Sequence, residues 1–431
     1  MCGFTAIVGS KTFLKEAIES MAYRGLPGHT SEYHQGYIHI AHQRLPIVDL
    51  TSNGDQPARI GNYIGFLVGE VFNFKRVSHQ DTDTKAALDV FLSKGLQGFH
   101  DFDGFWSFVT VMDSKLFAAT DYLGQKPIYY RTDMKALASE PIALKEYGFT
   151  TYDPIFFSNI KKWGYDMTGR TPWAEIRQLP PGHYWYDGDI KPYWNWNSVR
   201  SIGVRQSIIE ATQNRLLGDQ PVTCLLSGGL DSSIVYLLAK QLGSQIKSYH
   251  VENEEAEFAR LVDPDTTCLK LDNVSYQEAI EWNQSPVDLG SVHPQAVLAN
   301  SLAKKGYHVC LTGDGADELF GGYERNKKYD SQMSDVFMEL PYYHLPRLDR
   351  LMMRKTIELR TPFLAPEVIK AAMATSYSDR ENKRCLKEAF KDILPSEILN
   401  REKKALKTLR IKNGGLKQIE DNINLFKGIY E

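Results

Sequence analysis

Cysteine is scarce in this chain, and long apolar runs are missing. The five cysteines are scattered without a Cys-x-x-Cys pair, which indicates neither a zinc site nor a disulfide framework. A reducing compartment suits such usage, so we expect a cytoplasmic protein. No run of about 18 apolar residues occurs, and no basic start followed by an apolar segment opens the chain. We therefore predict neither a membrane span nor an export signal.

An excess of positive charge is also missing. The net charge of -3 and the isoelectric point near 6.4 argue against a nucleic-acid partner, which normally requires a strongly basic face. Small anionic ligands remain compatible with this charge. The composition, 42% apolar and 24% charged, is that of a globular protein, and 431 residues predict two or three domains with ample cores.

The pattern of apolar residues changes near residue 195. Before it, aromatic and β-branched segments such as 104–113 alternate with turns, and helical spacing appears at 83–94, which together predict antiparallel sheet flanked by helices. After it, strand patterns such as 222–226 alternate with helices, which indicates a parallel α/β sheet. We predict two domains, 1–195 and 196–431.

Cys2 directly follows Met1. Removal of Met1 would place a thiol and a free α-amine on one residue, and an amine that titrates at about pH 8 can take the proton of its own thiol. Such a nucleophile needs no distant histidine. The alternative is that Cys2 is merely a small residue near the terminus, and only the motifs downstream argue against it.

A glycine-rich turn follows the buried-strand pattern at 221–226. It reads Ser227-Gly228-Gly229-Leu230-Asp231-Ser232-Ser233 and leads into an apolar helix. Glycines let a backbone approach a phosphate, and the N–H groups and positive end of a helix attract its charge. The turn lacks the Gly-Lys-Ser/Thr ending of a Walker loop. A serine-capped turn is the alternative, but the full string favours phosphate binding.

A second turn, 312–323, is acidic and follows the apolar stretch 309–311. Carboxylates at the end of a parallel strand can hold magnesium against phosphates. A solvated acidic loop is the alternative, and it leaves the glycines of this turn unexplained. Asp314 and Asp317 are its candidate site residues.

The order of Cys2, the loop 227–233 and the turn 312–323 resembles that of glutamine-hydrolysing asparagine synthetases. The resemblance extends over nearly the whole chain. The loop is similar to the ATP-pyrophosphatase loop. Further matches are His42-Gln43-Arg44-Leu45, Gly69-Glu70, Thr82-Asp83, residues 121–127, Ala138-Ser139-Glu140, Arg360-Thr361-Pro362-Phe363-Leu364 and residues 383–387. The resemblance implies a four-layer αββα N-terminal-nucleophile glutaminase domain followed by a parallel-sheet α/β adenylating domain.

The resemblance also implies residue roles. Cys2 and Gly69 would be the catalytic positions of the glutaminase, with Cys2 attacking the glutamine amide. Glutamine would be bound by Arg44, Val48, Glu70 and Asp83. A guanidinium matches the glutamine carboxylate, and acidic groups match its ammonium.

In the adenylating domain, the ATP-binding positions implied are Leu225, Ser227, Gly228, Gly229, Asp231, Ser232, Ser233, Val251 and Gly313. Asp231 and Asp317 would share Mg²⁺, so the implied cofactors are ATP and Mg²⁺. Lys383 and Arg350 would neutralise charge on the phosphates during adenylation. Asp314 would receive a proton from attacking ammonia.

The implied reaction joins aspartate with ammonia, taken from glutamine or from solution, through an acyl-adenylate, and yields asparagine, AMP and pyrophosphate. An apolar passage between the domains is expected, because ammonia must stay unprotonated. Two alternatives remain open: amidation of another carboxylate, and a catalytically silent binding or regulatory protein. A homodimer is expected from the family alone.

Three departures from the family pattern matter. Val68 stands where the family has an asparagine that donates to the oxyanion, and loss of one such donor costs about 100- to 1000-fold in turnover, so we predict weak glutaminase activity. The family's Arg-Gly-Pro-Asp string is altered at 24–28, and Ala365 replaces an aspartate. We interpret the basic run 401–412 as a solvated helix face, with ligand binding as the alternative.

Overall fold

The computed structural model describes residues 2–196, 201–253, 255–270, 273–288, 290–323, 335–401 and 416–430. Within these ranges an N-terminal half built on antiparallel sheets precedes a C-terminal half built on a parallel sheet. Among the described residues, no helix combines the length and the apolar character that a membrane span requires. The predicted domain boundary at 195/196 stays a prediction, because residues 197–200 lie outside the described ranges.

The N-terminal half contains the strands β1 (Gly3–Val8), β2 (Thr30–Gln35), β3 (Ile38–Gln43), β4 (Ala58–Ile60), β5 (Tyr63–Val71), β6 (Gly104–Met112), β7 (Lys115–Thr120), β8 (Tyr129–Arg131), β9 (Ala136–Ala138), β10 (Ile176–Gln178), β11 (His183–Tyr186) and β12 (Asp189–Pro192). They form two antiparallel sheets, ordered β10-β8-β9-β1-β3-β2 and β12-β11-β7-β6-β5-β4. The helices are α1 (Leu14–Glu19), α2 (Phe74–Val77), α3 (Asp83–Lys94), α4 (Pro141–Lys145) and α5 (Pro154–Trp163).

The two sheets are stacked between helices because their central strands are apolar on both faces. On β5, Phe66 and Val68 pack into the core between the sheets, and Leu67 packs on the other face against α3. The helix predicted at 83–94 is confirmed, and the side chain of Thr82 caps it by accepting from the Lys85 N–H. These layers confirm the predicted αββα fold.

The C-terminal half contains the strands β13 (Val222–Leu225), β14 (Lys247–Val251), β15 (Thr267–Leu269), β16 (Val309–Leu311) and β17 (Glu358–Arg360), in the parallel order β15-β14-β13-β16-β17. Its helices are α6 (Val204–Arg215), α7 (Leu230–Gln241), α8 (Ala256–Val262), α9 (Tyr276–Asn283), α10 (Val292–Ala303), α11 (Ala316–Leu319), α12 (Asp335–Glu339), α13 (Leu345–Met353), α14 (Pro366–Ala374), α15 (Tyr377–Arg380), α16 (Arg384–Phe390), α17 (Ser396–Leu399) and α18 (Leu416–Tyr430).

The strand order places the two predicted turns side by side. Because β13 pairs with β16, with Cys224 opposite Leu311, the loops that leave their carboxyl ends emerge at the same edge of the sheet. Such an edge is where open α/β sheets bind ligands.

The two halves are joined by buried polar contacts. Arg24 of the N-terminal half forms ion pairs with Glu140 at 2.6 Å and with Asp349 of α13 at 2.8 Å. Lys126 pairs with the same Asp349 at 3.0 Å. Breaking a buried pair of this kind costs about 3–5 kcal/mol, so this network fixes how the halves meet.

Candidate functional site

Cys2 lies in the core between the two antiparallel sheets, in the same cluster as Phe4 and Val68. Its carbonyl accepts a hydrogen bond from the Arg24 Nε at 3.0 Å. Burial raises the pKa of its thiol to about 11, so the sulfur is protonated at neutral pH. A nucleophile in this state requires a base to take its proton, which is the role predicted for a free α-amine at this residue.

The backbone conformation and close packing at position 69 require a glycine. Its φ is +107°, and an added Cβ would lie 2.0 Å from the Phe105 carbonyl oxygen. Val68, one residue earlier, is buried and turns its side chain into the cluster that contains Cys2. The structure thus places an apolar side chain in the core cluster that contains Cys2, at the position where the family resemblance implies an amide.

Arg44 is buried and held by the loop that follows β3. Its Nη1 donates to the Thr51 carbonyl at 2.9 Å and to Asp55 Oδ1 at 2.7 Å, and its Nη2 donates to the Asp49 carbonyl. These bonds orient the guanidinium before any ligand arrives. Val48, at the start of this loop, packs against the cluster beside α3.

Glu70 and Asp83 lie together and are both buried. Burial, followed by the like charges of Glu358 and Asp83, raises the pKa of Glu70 well above its ordinary value. Burial also raises the pKa of Asp83, although hydrogen bonds from the Val71 and Thr84 N–H groups oppose the shift. The two carboxyls therefore tend to retain a proton, which a cationic ligand group can replace.

Glu358 was not predicted as a site residue. It belongs to β17 of the C-terminal half, is fully buried, and pairs with Arg360 at 2.6 Å. Its charge reaches Glu70 across the junction between the halves. The sequence offered a weak signal, since Glu358 stands two residues before the matched string at 360–364, but strand pairing alone could not place it beside the N-terminal site.

The loop 227–233 forms a tight turn that leads into a helix. Gly228 has a φ of +69°, and a Cβ there would lie 2.5 Å from the Ala259 nitrogen. Ser232 Oγ accepts from the Ser227 N–H at 3.1 Å, and α7 begins at Leu230. The N-terminus of this twelve-residue helix thus directs its free N–H groups and positive dipole end toward the loop.

The acidic turn packs directly on this loop. A Cβ on Gly313 would lie 2.7 Å from the Ser232 nitrogen, so only glycine permits the approach. Asp314 accepts from Thr312 Oγ1 at 2.6 Å. Leu225 and Val251 end the neighbouring parallel strands β13 and β14, which places both at this edge of the sheet. All the predicted ATP-binding positions therefore lie on elements that meet here.

Lys383 joins the two turns. Its Nζ contacts Asp231 Oδ2 at 2.5 Å and also Asp317. Burial opposes the charge, but these two carboxylates outweigh it and raise the pKa of Lys383 above its ordinary value. A Cβ on Gly322 would lie 2.5 Å from Lys383 Cε, so Gly322 gives the lysine room.

The backbone of this lysine is unusual. Asn382 and Lys383 have φ values of +52° and +59°, in the left-handed region that residues with a Cβ avoid at a cost of about 1–3 kcal/mol. Strain of this kind persists where the surrounding contacts require it, and here it directs an ammonium between two carboxylates.

Asp231 and Asp317 have the oxygen donors that Mg²⁺ prefers. Mg²⁺ at phosphate sites is commonly held by one or two carboxylates together with the phosphates. The described residues contain no group of three or more His, Cys, Asp or Glu side chains arranged for a metal. The two carboxylates therefore fit a magnesium ion that is bound together with a nucleotide's phosphates.

Two basic residues lie in surroundings that differ from those predicted. Arg350 donates to Tyr129 Oη at 2.9 Å and lies 3.5 Å from Asn283 Oδ1, so the structure places it at the junction of the halves and does not bring it together with Lys383. The interpretation of the basic run as a solvated face is wrong for Arg401, whose side chain is 10% exposed and donates to the Gly228 carbonyl at 2.7 Å. Residues 402–412 lie outside the described ranges.

Comparison with known proteins agrees with this arrangement. A family model for the glutamine amidotransferase domain matches residues 1–196, and the model for asparagine synthase matches 203–337 and 329–423. Glutamine-hydrolysing asparagine synthetase 1 of Arabidopsis thaliana is 25% identical over 468 residues, and that of Lotus japonicus is 26% identical over 479. Both alignments cover 94% of this chain and 77% of the relative.

Proposed function

The chain belongs to the glutamine-hydrolysing asparagine synthetase family, and from that premise we propose that it forms asparagine from aspartate, ATP and ammonia, with glutamine as a second nitrogen donor. The observation that carries the proposal is the position of Lys383 between Asp231 and Asp317 at a phosphate loop. An ammonium held beside a nucleotide's phosphates can stabilise the charge that develops when a carboxylate attacks the α-phosphate.

Residues of both turns take part in the proposed adenylation. ATP supplies the adenylyl group, and the N–H groups of the loop 227–233 hold the pyrophosphate that leaves. Asp231 and Asp317 would hold a Mg²⁺ that accompanies ATP, and the ion would neutralise part of the phosphate charge. Lys383 would then be able to interact with the phosphates. We assign to Asp314 the role of accepting a proton from ammonia as the amide forms.

The glutamine half supplies ammonia. Arg44 binds the glutamine carboxylate, and Glu70 with Asp83 binds its ammonium, which positions the amide at Cys2. The thiol attacks the amide carbon, ammonia leaves, and water releases glutamate from the thioester. Val68 offers the oxyanion no side-chain donor, which makes this half the slower one.

A cavity between the halves is our candidate for part of the ammonia passage. Its apolar wall consists of Phe105, Leu345, Leu348 and Leu359. Its polar wall includes Lys126 and Asp349, which neutralise each other at 3.0 Å. An apolar wall with a paired charge favours neutral ammonia over ammonium.

The reaction is tested by measuring pyrophosphate release with ATP, Mg²⁺ and aspartate, with either ammonium or glutamine as the donor, and by identifying the products by mass spectrometry. We expect asparagine with ammonium and a slower yield with glutamine. Pyrophosphate release that requires a different acid would support the alternative acceptor. Absence of acid-dependent release across a panel of carboxylates would leave the silent-protein alternative.

Val68→Asn is expected to raise the rate of glutamine hydrolysis on the order of 100-fold, because it restores a donor beside the oxyanion. The same change buries an amide in an apolar core, so the melting temperature should fall. Glutamate release under saturating glutamine measures the first effect. Val68→Ala is the matched control, since it alters the packing without adding a donor, and a gain in that variant would contradict the explanation.

Glutamine binding should strengthen as pH rises. The raised pKa values of Glu70 and Asp83 mean that the empty pair holds a proton at low pH, and the ammonium of glutamine must displace it. KM for glutamine is therefore expected to fall as pH rises through the raised pKa. The effect on the free energy of unfolding has the opposite sign. The raised pKa values of the two carboxyls stabilise the folded protein fully below the unfolded-state pKa of about 4, and this stabilisation is lost as pH rises through the raised pKa.

Glu358→Gln tests the cause of this pH dependence. Removing the like charge should lower the pKa of Glu70, and the fall in KM should then occur at a lower pH. An unchanged KM profile in a variant that retains the wild-type melting temperature would show that Glu358 has no influence on the pair.

A further inference from the structure

Arg401 follows the short helix α17 and contacts the backbone of the loop 227–233. Its Nη1 donates to the Gly228 carbonyl at 2.7 Å, and its Nη2 lies 2.6 Å from Glu255 Oε2. The centre of its guanidinium lies 4.1 Å from the centroid of the Phe258 ring, within the range of a cation–π contact. One side chain therefore joins the loop to the segment in which α8 begins.

The partners of this guanidinium are themselves held by packed structure. The backbone N–H of Arg401 donates to the Ile398 carbonyl at 3.4 Å, and the Ile398 side chain belongs to the core of the C-terminal half. On the other side, a Cβ on Gly228 would lie 2.5 Å from the Ala259 nitrogen, so α8 packs directly on the loop. The guanidinium is thus fixed relative to the core and can support the loop.

The peptide bond between Gly228 and Gly229 has little preference of its own for one orientation. Rotating it by half a turn changes the ψ of Gly228 and the φ of Gly229, and glycine adopts positive and negative φ with similar ease. The φ values in the structure are +69° for Gly228 and -82° for Gly229. A contact from outside this glycine pair is therefore needed to select one orientation.

The contact with Arg401 selects the orientation that suits an anion. The carbonyl and the N–H of a trans peptide point in opposite directions, so the bond from Arg401 to the Gly228 carbonyl turns the Gly229 N–H away from α8. This N–H donates to Ser227 Oγ at 3.2 Å, on the inner side of the turn that leads into α7. Backbone N–H groups gathered in such a turn bind anions, whereas a carbonyl oxygen in the same place would repel a phosphate.

We propose that Arg401 is a positioning residue for pyrophosphate, which holds the Gly228 carbonyl away from the phosphates and keeps the Gly229 N–H directed at them. Arg401 acts through the backbone of the loop and not by contact with the phosphates. AMP lacks the β- and γ-phosphates that fill the loop, so its binding should not depend on Arg401. The inference rests on the proposed function, because it concerns the leaving group of the same reaction.

The test is equilibrium binding of magnesium pyrophosphate and of AMP to the full chain, measured by calorimetry. Arg401→Met is expected to weaken pyrophosphate binding about 10-fold or more, the order of effect for the loss of one charge-assisted hydrogen bond. The affinity for AMP should stay within about twofold of the wild type, since the adenosine part of the site is untouched. Arg401→Lys, which keeps a charged donor, should retain part of the pyrophosphate affinity.

Arg205→Met is the matched control. Arg205 likewise pairs with a carboxylate, that of Asp392 at 2.7 Å, and donates to a backbone carbonyl, that of Ala389. Its guanidinium also lies over an aromatic ring, that of Phe390. None of these partners belongs to the loop 227–233, so this variant should bind both ligands as the wild type does.

Wild-type affinity for pyrophosphate in Arg401→Met would overturn the inference, and so would an equal loss of AMP and pyrophosphate binding, which a general distortion of this half produces. Absence of saturable pyrophosphate binding by the wild type would remove the phosphate site and the inference with it. Failure of the proposed function looks different. Pyrophosphate binding that depends on Arg401, without any amide product from aspartate, would retain the inference and remove the reaction.

Discussion

Lys383→Met is expected to lower aspartate-dependent ATP–pyrophosphate exchange on the order of 1000-fold, with ammonium and glutamine affected equally. The side chain supplies a cation for the charge that develops on the phosphates, and fixed cations in such sites have effects of this size. Removing it also leaves Asp231 and Asp317 facing each other without the ammonium that now separates them. Exchange of labelled pyrophosphate into ATP measures the effect directly.

The controls separate chemistry from folding. Lys391→Met removes a lysine of similar length that is 62% exposed and paired with Glu388, and it should leave exchange unchanged. Lys383→Arg keeps the charge with a larger head group and should retain more exchange than the methionine variant. Glutamine hydrolysis, a property of the other half, should persist in all three. Exchange near the wild-type level in Lys383→Met would show that the cation is only structural.

Local sequence was sufficient to predict the elements that build the sites. The helix at 83–94 followed from its apolar spacing, and the strand–turn–helix around 227–233 followed from a glycine-rich string between two apolar segments. In each, the residues that determine the structure are neighbours in the chain. The order of motifs then supplied the family, which the comparisons confirm.

Charge environments could not be predicted in the same way, because they depend on residues far apart in the chain. Arg350 was predicted at the phosphates and lies against Tyr129, 221 residues away. Arg401 was interpreted as solvated and contacts Gly228, 173 residues away. Glu358 went unnoticed because its effect on Glu70 exists only once the two halves pack together. A charged residue in a sequence shows its type, whereas its partner is decided by the tertiary fold.

Cys2→Ala is expected to lower glutamine-dependent amide formation at least about 1000-fold and to leave the ammonium-dependent rate within about twofold of the wild type, since removing a catalytic nucleophile has effects of this order or larger. The asymmetry follows from the structure: Cys2 lies between the antiparallel sheets, whereas Lys383 and the phosphate loop belong to the other half. Parallel assays with the two nitrogen donors measure it.

Cys268→Ala is the matched control, because it removes a thiol from β15 of the other half, and both activities should remain. Loss of the ammonium-dependent rate in Cys2→Ala would mean that the substitution acts through the junction of the halves, where Arg24 links the Cys2 carbonyl to Asp349. Retention of the glutamine-dependent rate would identify another nucleophile. Val68 is expected to slow glutamine hydrolysis in the wild type. Comparing Cys2 with Cys2→Ala in a Val68→Asn background therefore gives a more sensitive test, because the glutamine-dependent rate that the thiol supports is expected to be higher there.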